Sequence, residues 1–276
     1  MKRIISVVVM LIMTLSVFGI TASAEPIVSM GYYDFEKGGL YYAEYNDNEA
    51  FVVGYDLTDF NPKGEITVPA SVTGNGTTYT VVGIESEAFY QSTYTKITLP
   101  STITCIGAYA FASSDYLESV VIPENCYFTY FGSDAFIGTP FETEIYSKDE
   151  TIFGQNVLYS YIGGGEYILP SNVDCIASSA FFMSAVEKVV LNDNITEIPT
   201  MAFASCRNLK EIIIPDSVLS IGFGAFRDCT NLESVSLGEE LGYIGEEAFS
   251  NTKISTVKKT HRFRCVFLTT GYFYSA

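Results

Sequence analysis

The chain repeats an Ala-Phe pair seven times at nearly constant intervals. The seven phenylalanines are Phe89, Phe111, Phe136, Phe181, Phe203, Phe226 and Phe249. All but two of the intervals are 22 or 23 residues long, and the exceptions are 25 and 45 residues. A period of this length is too long for a helical turn and is typical of proteins that stack one supersecondary unit on the next.

Other apolar residues keep fixed positions relative to each phenylalanine. A large apolar residue lies five residues before it in every unit: Ile84, Ile106, Phe131, Ile176, Ile198, Ile221 and Ile244. A small polar residue or a cysteine lies three residues after it: Ser92, Ser114, Thr139, Ser184, Cys206, Cys229 and Thr252. Upstream of each unit stands a short strand-like run that usually ends in proline. One unit cannot bury its apolar face alone, so the units must stack as coils about 4.8 Å apart, with the seven phenylalanines in one ladder.

Residues 209–231, LKEIIIPDSVLSIGFGAFRDCTN, resemble the unit of the BspA-type leucine-rich repeat almost throughout. The resemblance covers roughly residues 60–257. It implies a mainly β repeat solenoid, a leucine-rich-repeat-like right-handed coil of short parallel strands with tight turns and short helical turns. Five positions depart from the pattern without removing a core residue. Glu85, Ala177 and Pro199 replace a glycine, and Asn192 and Gly238 replace the proline.

The ends of the chain differ from the repeats. Residues 1–24 have a basic start, an apolar run and an Ala-Ser-Ala cleavage pattern, so we expect a secretory signal peptide. Residues 25–59, with two aromatic strand-like runs, are predicted to cap the solenoid at residues 60–257. Residues 70–80 read as a hairpin, and residues 137–166 as a degenerate coil or a projecting flap. Residues 258–276 match none of the repeating positions and form an off-pattern basic tail. We interpret this tail as the product of a frameshift or truncation, or as a capping strand at 262–268.

The chain is strongly acidic. After residue 24 it carries 32 acidic residues against 13 lysines and arginines. Such a surface repels nucleic acid and anionic lipid, so neither is an expected partner, and we expect no membrane insertion after signal cleavage.

Residues for catalysis or metal binding are sparse. The single histidine, His261, lies in the tail, so the repeats offer no catalytic triad, and no CxxC motif for zinc is present. We predict no enzyme activity, no cofactor and no metal site. Asn46-Asp47-Asn48 and Asn192-Asp193-Asn194 offer oxygen ligands for calcium but are more typical of turns. The six cysteines are interpreted as buried free thiols, although Cys206 and Cys229 are placed where bridging is conceivable.

The strands predict a binding face. In each strand the middle residue points outward: Thr67, Thr98, Val121, Ile168, Val190, Ile213 and Ser236. The four central ones, Val121, Ile168, Val190 and Ile213, would form an apolar stripe. Its border would be charged: Glu118, Glu166, Glu187, Lys188, Lys210 and Glu211. The alternative is that β-branched residues stand there only because they suit strands.

The resemblance implies an exported bacterial protein, secreted or at the cell surface, that binds a protein of the host matrix or of another cell. Two other functions stay open. One is a carbohydrate-binding or accessory module of a polysaccharide-degrading system, since the chain has 20 tyrosines for sugar stacking but no tryptophan. The other is a passive spacer in a larger surface protein.

Overall fold

The computed structural model describes residues 33–56, 64–259 and 266–267. The predicted signal peptide and most of the tail lie outside these ranges. Within them the chain is almost entirely β-strand and turn, with a single short helix. That helix is far too short to cross a membrane, and the described residues contain no other.

The strands before the first Ala-Phe turn are β1 (Phe35–Lys37), β2 (Leu40–Asn46), β3 (Glu49–Tyr55), β4 (Gly64–Thr67), β5 (Ser71–Gly74) and β6 (Thr77–Ile84). The following elements are β7 (Tyr94–Thr98), β8 (Cys105–Ile106), β9 (Ser119–Val121), β10 (Tyr130–Phe131), α1 (Pro140–Ile145), β11 (Glu150–Phe153) and β12 (Val157–Tyr161). The remaining strands are β13 (Gly164–Ile168), β14 (Cys175–Ile176), β15 (Ala185–Val190), β16 (Glu197–Ile198), β17 (Glu211–Ile213), β18 (Ser220–Ile221), β19 (Ser234–Leu237), β20 (Tyr243–Ile244), β21 (Thr256–Lys259) and β22 (Val266–Phe267).

Most successive repeats pair through parallel strands, which form two rows. Among the described residues the first row is interrupted between β9 and β13 and between β15 and β17, and the second between β10 and β12 and between β14 and β16. The first row consists of the proline-terminated strands and contains the sheets β4-β7-β9, β13-β15 and β17-β19-β21. The second row contains β3-β6-β8-β10, β12-β14 and β16-β18-β20-β22. Equivalent residues of neighbouring repeats therefore lie side by side, as Ile212 does with Val235 and Ile221 with Ile244.

The glycine after the isoleucine column allows the repeats to approach closely. A Cβ atom at Gly107 would lie 2.2 Å from the backbone nitrogen of Ser86 in the preceding repeat. Glu85 replaces this glycine in the first repeat, where its backbone N–H donates to Val52 of β3.

The residues before the repeats cover one end of the second row. Strands β1, β2 and β3 form an antiparallel sheet, and β3 pairs in parallel with β6. The Tyr55 ring stacks on Phe89 with centroids 5.8 Å apart, so it extends the phenylalanine column by one place. The expected hairpin forms as the antiparallel pair β5–β6, with Asn75 and Gly76 at positive φ in its turn.

The irregular segment is a packed, degenerate repeat and not a projecting flap. Helix α1 lies beside β9, where the first row would otherwise have its next strand. Thr139 caps the helix by accepting a hydrogen bond from the Glu142 backbone N–H at 3.0 Å, and Phe141 and Ile145 are buried. The β11–β12 hairpin follows, and β12 continues the second row by pairing with β14.

The phenylalanines form two stacks, so the prediction of one seven-membered ladder is wrong. Phe89, Phe111 and Phe136 stack at 5.5 and 5.2 Å. The second stack, Phe181, Phe203, Phe226 and Phe249, has centroid distances of 4.5, 5.1 and 5.1 Å. The degenerate repeat has no phenylalanine at this position, and the buried hydrophobic residues divide there into two clusters.

The C-terminal residues continue both rows. Strand β21 pairs with β19, with Lys259 in register with Leu237. Strand β22 pairs with β20 and places Phe267 beside Ile244. Residues 266–267 thus pair with the second row and fall within 262–268, the range of the capping-strand alternative, while residues 260–265 and 268–276 lie outside the described residues.

Candidate functional site

The outward side of the first row, which we call the strand face, carries the predicted stripe. Ile168 and Ile213 are each 66% exposed and Val190 is 38% exposed, although all three are large and apolar. Their neighbours in the strands, Val189 and Ile212, are buried, because alternate residues of a strand point to opposite sides. Ile168 and Val190 are directly opposed in the β13–β15 pair.

Val121 does not join this group. It is exposed on β9, in the sheet β4-β7-β9, where its neighbour is Thr98. Helix α1 lies on the other side of β9. The stripe is thus interrupted at the degenerate repeat, and the apolar part of the strand face is Ile168, Val190 and Ile213.

Charges alternate in sign beside the stripe. The Lys188 ammonium lies 2.8 Å from the Glu166 carboxylate, and this hydrogen bond raises the pKa of Lys188, with a further contribution from Glu211 on the opposite side. Glu187, Lys210 and Glu211 are exposed. The sequence identified these residues as a charged border but did not indicate that Glu166, Lys188 and Glu211 form an alternating row across three strands.

The small polar and cysteine side chains three residues after each phenylalanine make hydrogen bonds that the sequence did not reveal. The Cys206 thiol donates to the Phe181 carbonyl at 2.9 Å, and the Cys229 thiol donates to the Phe203 carbonyl at 3.0 Å. Ser114 makes the same bond to the Phe89 carbonyl at 2.8 Å. Ser114, Cys206 and Cys229 therefore each add a second hydrogen bond to a phenylalanine carbonyl of the preceding repeat, which explains why serine and cysteine interchange there. Thr139 and Thr252 instead donate to the phenylalanine carbonyl of their own repeat.

The cysteines within the described residues are free thiols, as predicted: Cys105, Cys126, Cys175, Cys206 and Cys229. Cys126, Cys206 and Cys229 are buried, whereas Cys105 and Cys175 are partly exposed, so burial holds for three of the five. Hydrogen bonding to Cys229 and burial raise the pKa of the Cys206 thiol. Burial raises the pKa of Cys175 to about 11, so neither thiol has the low pKa of a reactive cysteine. Cys265 lies outside the described residues.

The two Asn-Asp-Asn segments are turns. The Asn194 backbone N–H donates to the Asn192 side chain at 2.9 Å, and the Asn192 amide donates to the Pro170 and Val173 carbonyls at 2.8 Å each. Asn46 makes the corresponding bond with the Asn48 N–H at 3.1 Å. Asn192 thus links its repeat to the preceding one at a position where other repeats have proline. In the described ranges no group of three or more His, Cys, Asp or Glu side chains is placed to hold a metal.

The helix α1 was missed by the sequence analysis, although a signal for it exists. Thr139-Pro140-Phe141-Glu142 has a capping threonine, a proline in the first turn and a glutamate three residues after the cap. The structure uses all three, since the Glu142 carboxylate also accepts from the Gly138 N–H at 2.9 Å.

Comparison with protein families identifies the repeats. The model of the BspA type Leucine rich repeat region matches residues 82–210 and 151–274, with six copies. The chain belongs to the BspA-type leucine-rich repeat family. The match is to a repeat region and not to a catalytic family, and it extends into the tail. A comparison with curated proteins gave no match.

Solved structures of leucine-rich repeat proteins resemble the BspA-type chain more loosely. A leucine-rich repeat protein from Bacteroides ovatus is 24% identical, with a TM-score of 0.44, over 80% of this chain and 58% of the other. A leucine rich cell surface protein from Faecalibacterium prausnitzii is 18% identical, with a TM-score of 0.37, over 85% and 97% of the two chains. The pneumococcal vaccine antigen PcpA is 18% identical, with a TM-score of 0.38, over 81% and 69%. The chain thus spans 58% of the length of the Bacteroides protein.

Proposed function

We propose that this BspA-type protein is exported and binds other proteins through its strand face. The proposal rests on the exposure of three large apolar side chains, Ile168, Val190 and Ile213, which lie on consecutive strands of the first row. Exposed apolar side chains with a charged border are typical of protein interaction sites, whose central residues contribute most of the binding energy.

The partner that fits is a protein of the host matrix or of another cell surface. Repeat proteins bind through extended faces, and adhesion is what the better-known members of this family do. The acidic residues outnumber the basic ones by more than two to one after residue 24, so a partner with a cationic rim is favoured.

The finer organisation is part of the same proposal. Residues 1–24 direct export, residues 25–59 form a cap, and residues 60–257 form one right-handed solenoid in which residues 137–166 are the irregular coil. The parallel pairing of successive repeats and the stacking of Tyr55 on Phe89 support the solenoid and its cap.

Replacing Val190 and Ile213 together with threonine tests the binding face. Both side chains are exposed, so the melting temperature should stay near that of the wild type, whereas binding should weaken by about 1–3 kcal/mol if these residues are anchors. Binding is measured by surface plasmon resonance against a panel of matrix proteins, including fibronectin, fibrinogen, collagen and laminin.

The matched control replaces the preceding residues, Val189 and Ile212, with threonine. These side chains are buried, so the control should lose stability, which the exposed pair should not. Normal binding by the exposed double variant would contradict the role of the strand face.

A carbohydrate ligand is the second candidate, favoured by exposed tyrosines such as Tyr45, Tyr127 and Tyr130. Their rings could stack on sugar rings as aromatic side chains do in such sites. A glycan array probed with the mature chain separates the two candidates. Glycan binding that survives the Val190 and Ile213 substitutions would favour the second, and binding to neither class would favour a passive spacer.

A further inference from the structure

The three exposed apolar residues of the strand face, Ile168, Val190 and Ile213, lie at the same position of three successive repeats. Ile168 and Val190 are in register in the pair β13–β15. Strands β15 and β17 lie side by side, and their repeats are also joined at the Ala-Phe turn, where Phe181 and Phe203 stack at 4.5 Å. Since neighbouring strands lie about 4.8 Å apart, the three apolar side chains span about 10 Å across the strands.

This spacing fits a helix better than a strand. A helix that runs across the strands presents one apolar side chain per turn of about 5.4 Å, at positions i, i+4 and i+7, so two turns cover about 11 Å. An extended strand presents side chains on one face about 6.7 Å apart, so two steps cover about 13 Å. A helix can therefore contact all three apolar residues, whereas a strand loses register by the third.

One border of the apolar group alternates in charge. Glu166, Lys188 and Glu211, which we call the alternating border, precede the three apolar residues by two positions and so lie on the same side of the strands. Glu166 and Lys188 are half exposed and paired at 2.8 Å. Glu211 is exposed and forms no ion pair with another described residue. A segment that fits this border has a cation opposite each glutamate and an acid opposite the lysine.

The opposite border is acidic. Asp193, Asp216 and Glu239, which we call the acidic border, follow β15, β17 and β19 at equivalent positions and are exposed. The Asp216 carboxylate accepts from the Glu239 backbone N–H at 2.9 Å. Within the described ranges none of the three forms an ion pair. A segment that covers the apolar group is therefore favoured if its second flank is basic.

The same charges disfavour a second copy of this chain on the strand face. A copy rotated about an axis along the strands places Glu166 against Glu211 and Lys188 against Lys188. A copy rotated about an axis across the strands places these glutamates against Asp193 and Asp216. Like charges directly opposite each other cost binding energy, so the partner is a different protein.

We propose that the partner segment bound by the strand face is an amphipathic α-helix that lies across β13, β15 and β17. Its apolar residues at i, i+4 and i+7 contact the three exposed apolar residues. One flank has a cation, an acid and a cation opposite the alternating border, and the other flank is basic. This proposal rests on the proposed function because it specifies the partner of the same face, but the helix can be wrong while the face still binds protein in another way.

Two designed peptides of identical composition test the helix. The first, acetyl-AAQLKEKLEKLKEQA-amide, has leucines at i, i+4 and i+7, a lysine, a glutamate and a lysine on one flank, and two lysines on the other. The control, acetyl-AAQLEKKLKKLEEQA-amide, reverses the three charges of the first flank. In isothermal titration of the mature protein the first peptide should bind about tenfold more tightly, since three exposed charge pairs change sign. Difference circular dichroism should show that the bound peptide is helical.

Reversal of the alternating border is the matched change in the protein. The triple variant Glu166→Lys, Lys188→Glu and Glu211→Lys keeps the alternation and alters only exposed side chains, so its melting temperature should stay near that of the wild type. It should prefer the control peptide by about tenfold. Glu211→Lys alone should already reduce the preference of the protein to about threefold, and this variant keeps the test decisive if the triple variant does not fold.

Three results would overturn the helical partner. The first is equal binding of the two peptides to the wild type. The second is a preference that the charge reversals leave unchanged, and the third is a bound peptide without helical circular dichroism. A failure of the proposed function is a different result, namely matrix-protein binding that survives the substitution of Val190 and Ile213 by threonine.

Discussion

Two residues in each repeat lie in the left-handed region of backbone conformation, on either side of the Ala-Phe pair. The residues two before each phenylalanine are Glu87, Tyr109, Asp134, Ser179, Met201, Gly224 and Glu247, and those two after it are Gln91, Ser113, Gly138, Met183, Ser205, Asp228 and Asn251. All fourteen have φ between 53° and 73°. Only two of them are glycine, so most repeats contain non-glycine residues with a strained backbone at positive φ. The turn that these residues form places the phenylalanine in the core. No column of residue types marks these positions, which is why the sequence did not reveal them.

Glycine should relieve this strain. Ser179 has φ of 61°, so Ser179→Gly should raise the free energy of unfolding by about 0.5–1 kcal/mol. Ser178 has no positive φ, so Ser178→Gly should instead lower it through the larger backbone entropy of glycine. Urea unfolding of the two variants checks the opposite signs. A loss of stability in both would show that the turn imposes no strain at position 179.

The buried thiols act as hydrogen-bond donors, and Cys206 tests this. Cys206→Ser keeps a donor for the Phe181 carbonyl and should change stability little, as the equivalent Ser114 indicates. Cys206→Ala removes one of the two donors to the Phe181 carbonyl, leaving the Ser184 N–H at 2.9 Å, and should cost about 0.5–1.5 kcal/mol. Thermal unfolding of both variants is the measurement. Equal stability of the serine and alanine variants would contradict the donor role.

At the scale of the elements, the degenerate repeat is joined to its neighbour by side chains that replace backbone bonds. The Asn156 side chain accepts from the Phe128 N–H at 2.9 Å and donates to the Phe128 carbonyl at 2.8 Å. The Tyr159 hydroxyl is hydrogen-bonded to the backbone of Phe136, and burial raises its pKa. The sequence predicted the irregular segment from the 45-residue interval, but these substitutes depend on how α1 and the β11–β12 hairpin fold back. The spacing of the repeats does not predict how α1 and this hairpin fold back on the preceding repeat.

Tyr159→Phe should therefore destabilise the protein. It leaves the Phe136 N–H unpaired in the core, at a cost of about 1–3 kcal/mol. Tyr127 is half exposed and its hydroxyl bonds to Asp174 at the surface, so Tyr127→Phe should change stability by less than about 0.5 kcal/mol. Differential scanning calorimetry separates the two substitutions. If both had the same small effect, the hydroxyl of Tyr159 would have no structural role.

At the scale of the whole molecule, the repeat spacing predicted the strands, the inward columns and the exposure of Ile168, Val190 and Ile213. Each of these follows from alternation within a strand and from stacking of identical units, which are local rules. The division of the core and the separation of Val121 from the stripe follow from one helix that replaces one strand. The sequence shows only a longer interval between Phe136 and Phe181, so the predicted stripe joined Val121 to strands that the structure keeps apart from it.

The Ala-Phe period places one phenylalanine per repeat in the core, even where the residue that follows it is equally apolar. Phe181 and Phe182 are adjacent in the chain, yet Phe181 is fully buried against Phe203 and Phe182 is 43% exposed. Phe181→Ala should cost about 3–5 kcal/mol and lower the melting temperature by roughly 10 °C, whereas Phe182→Ala should lower it by no more than about 2 °C. Thermal unfolding of the two alanine variants measures this directly. Equal melting temperatures, or a larger loss for Phe182→Ala, would contradict the inward assignment on which the repeat architecture rests.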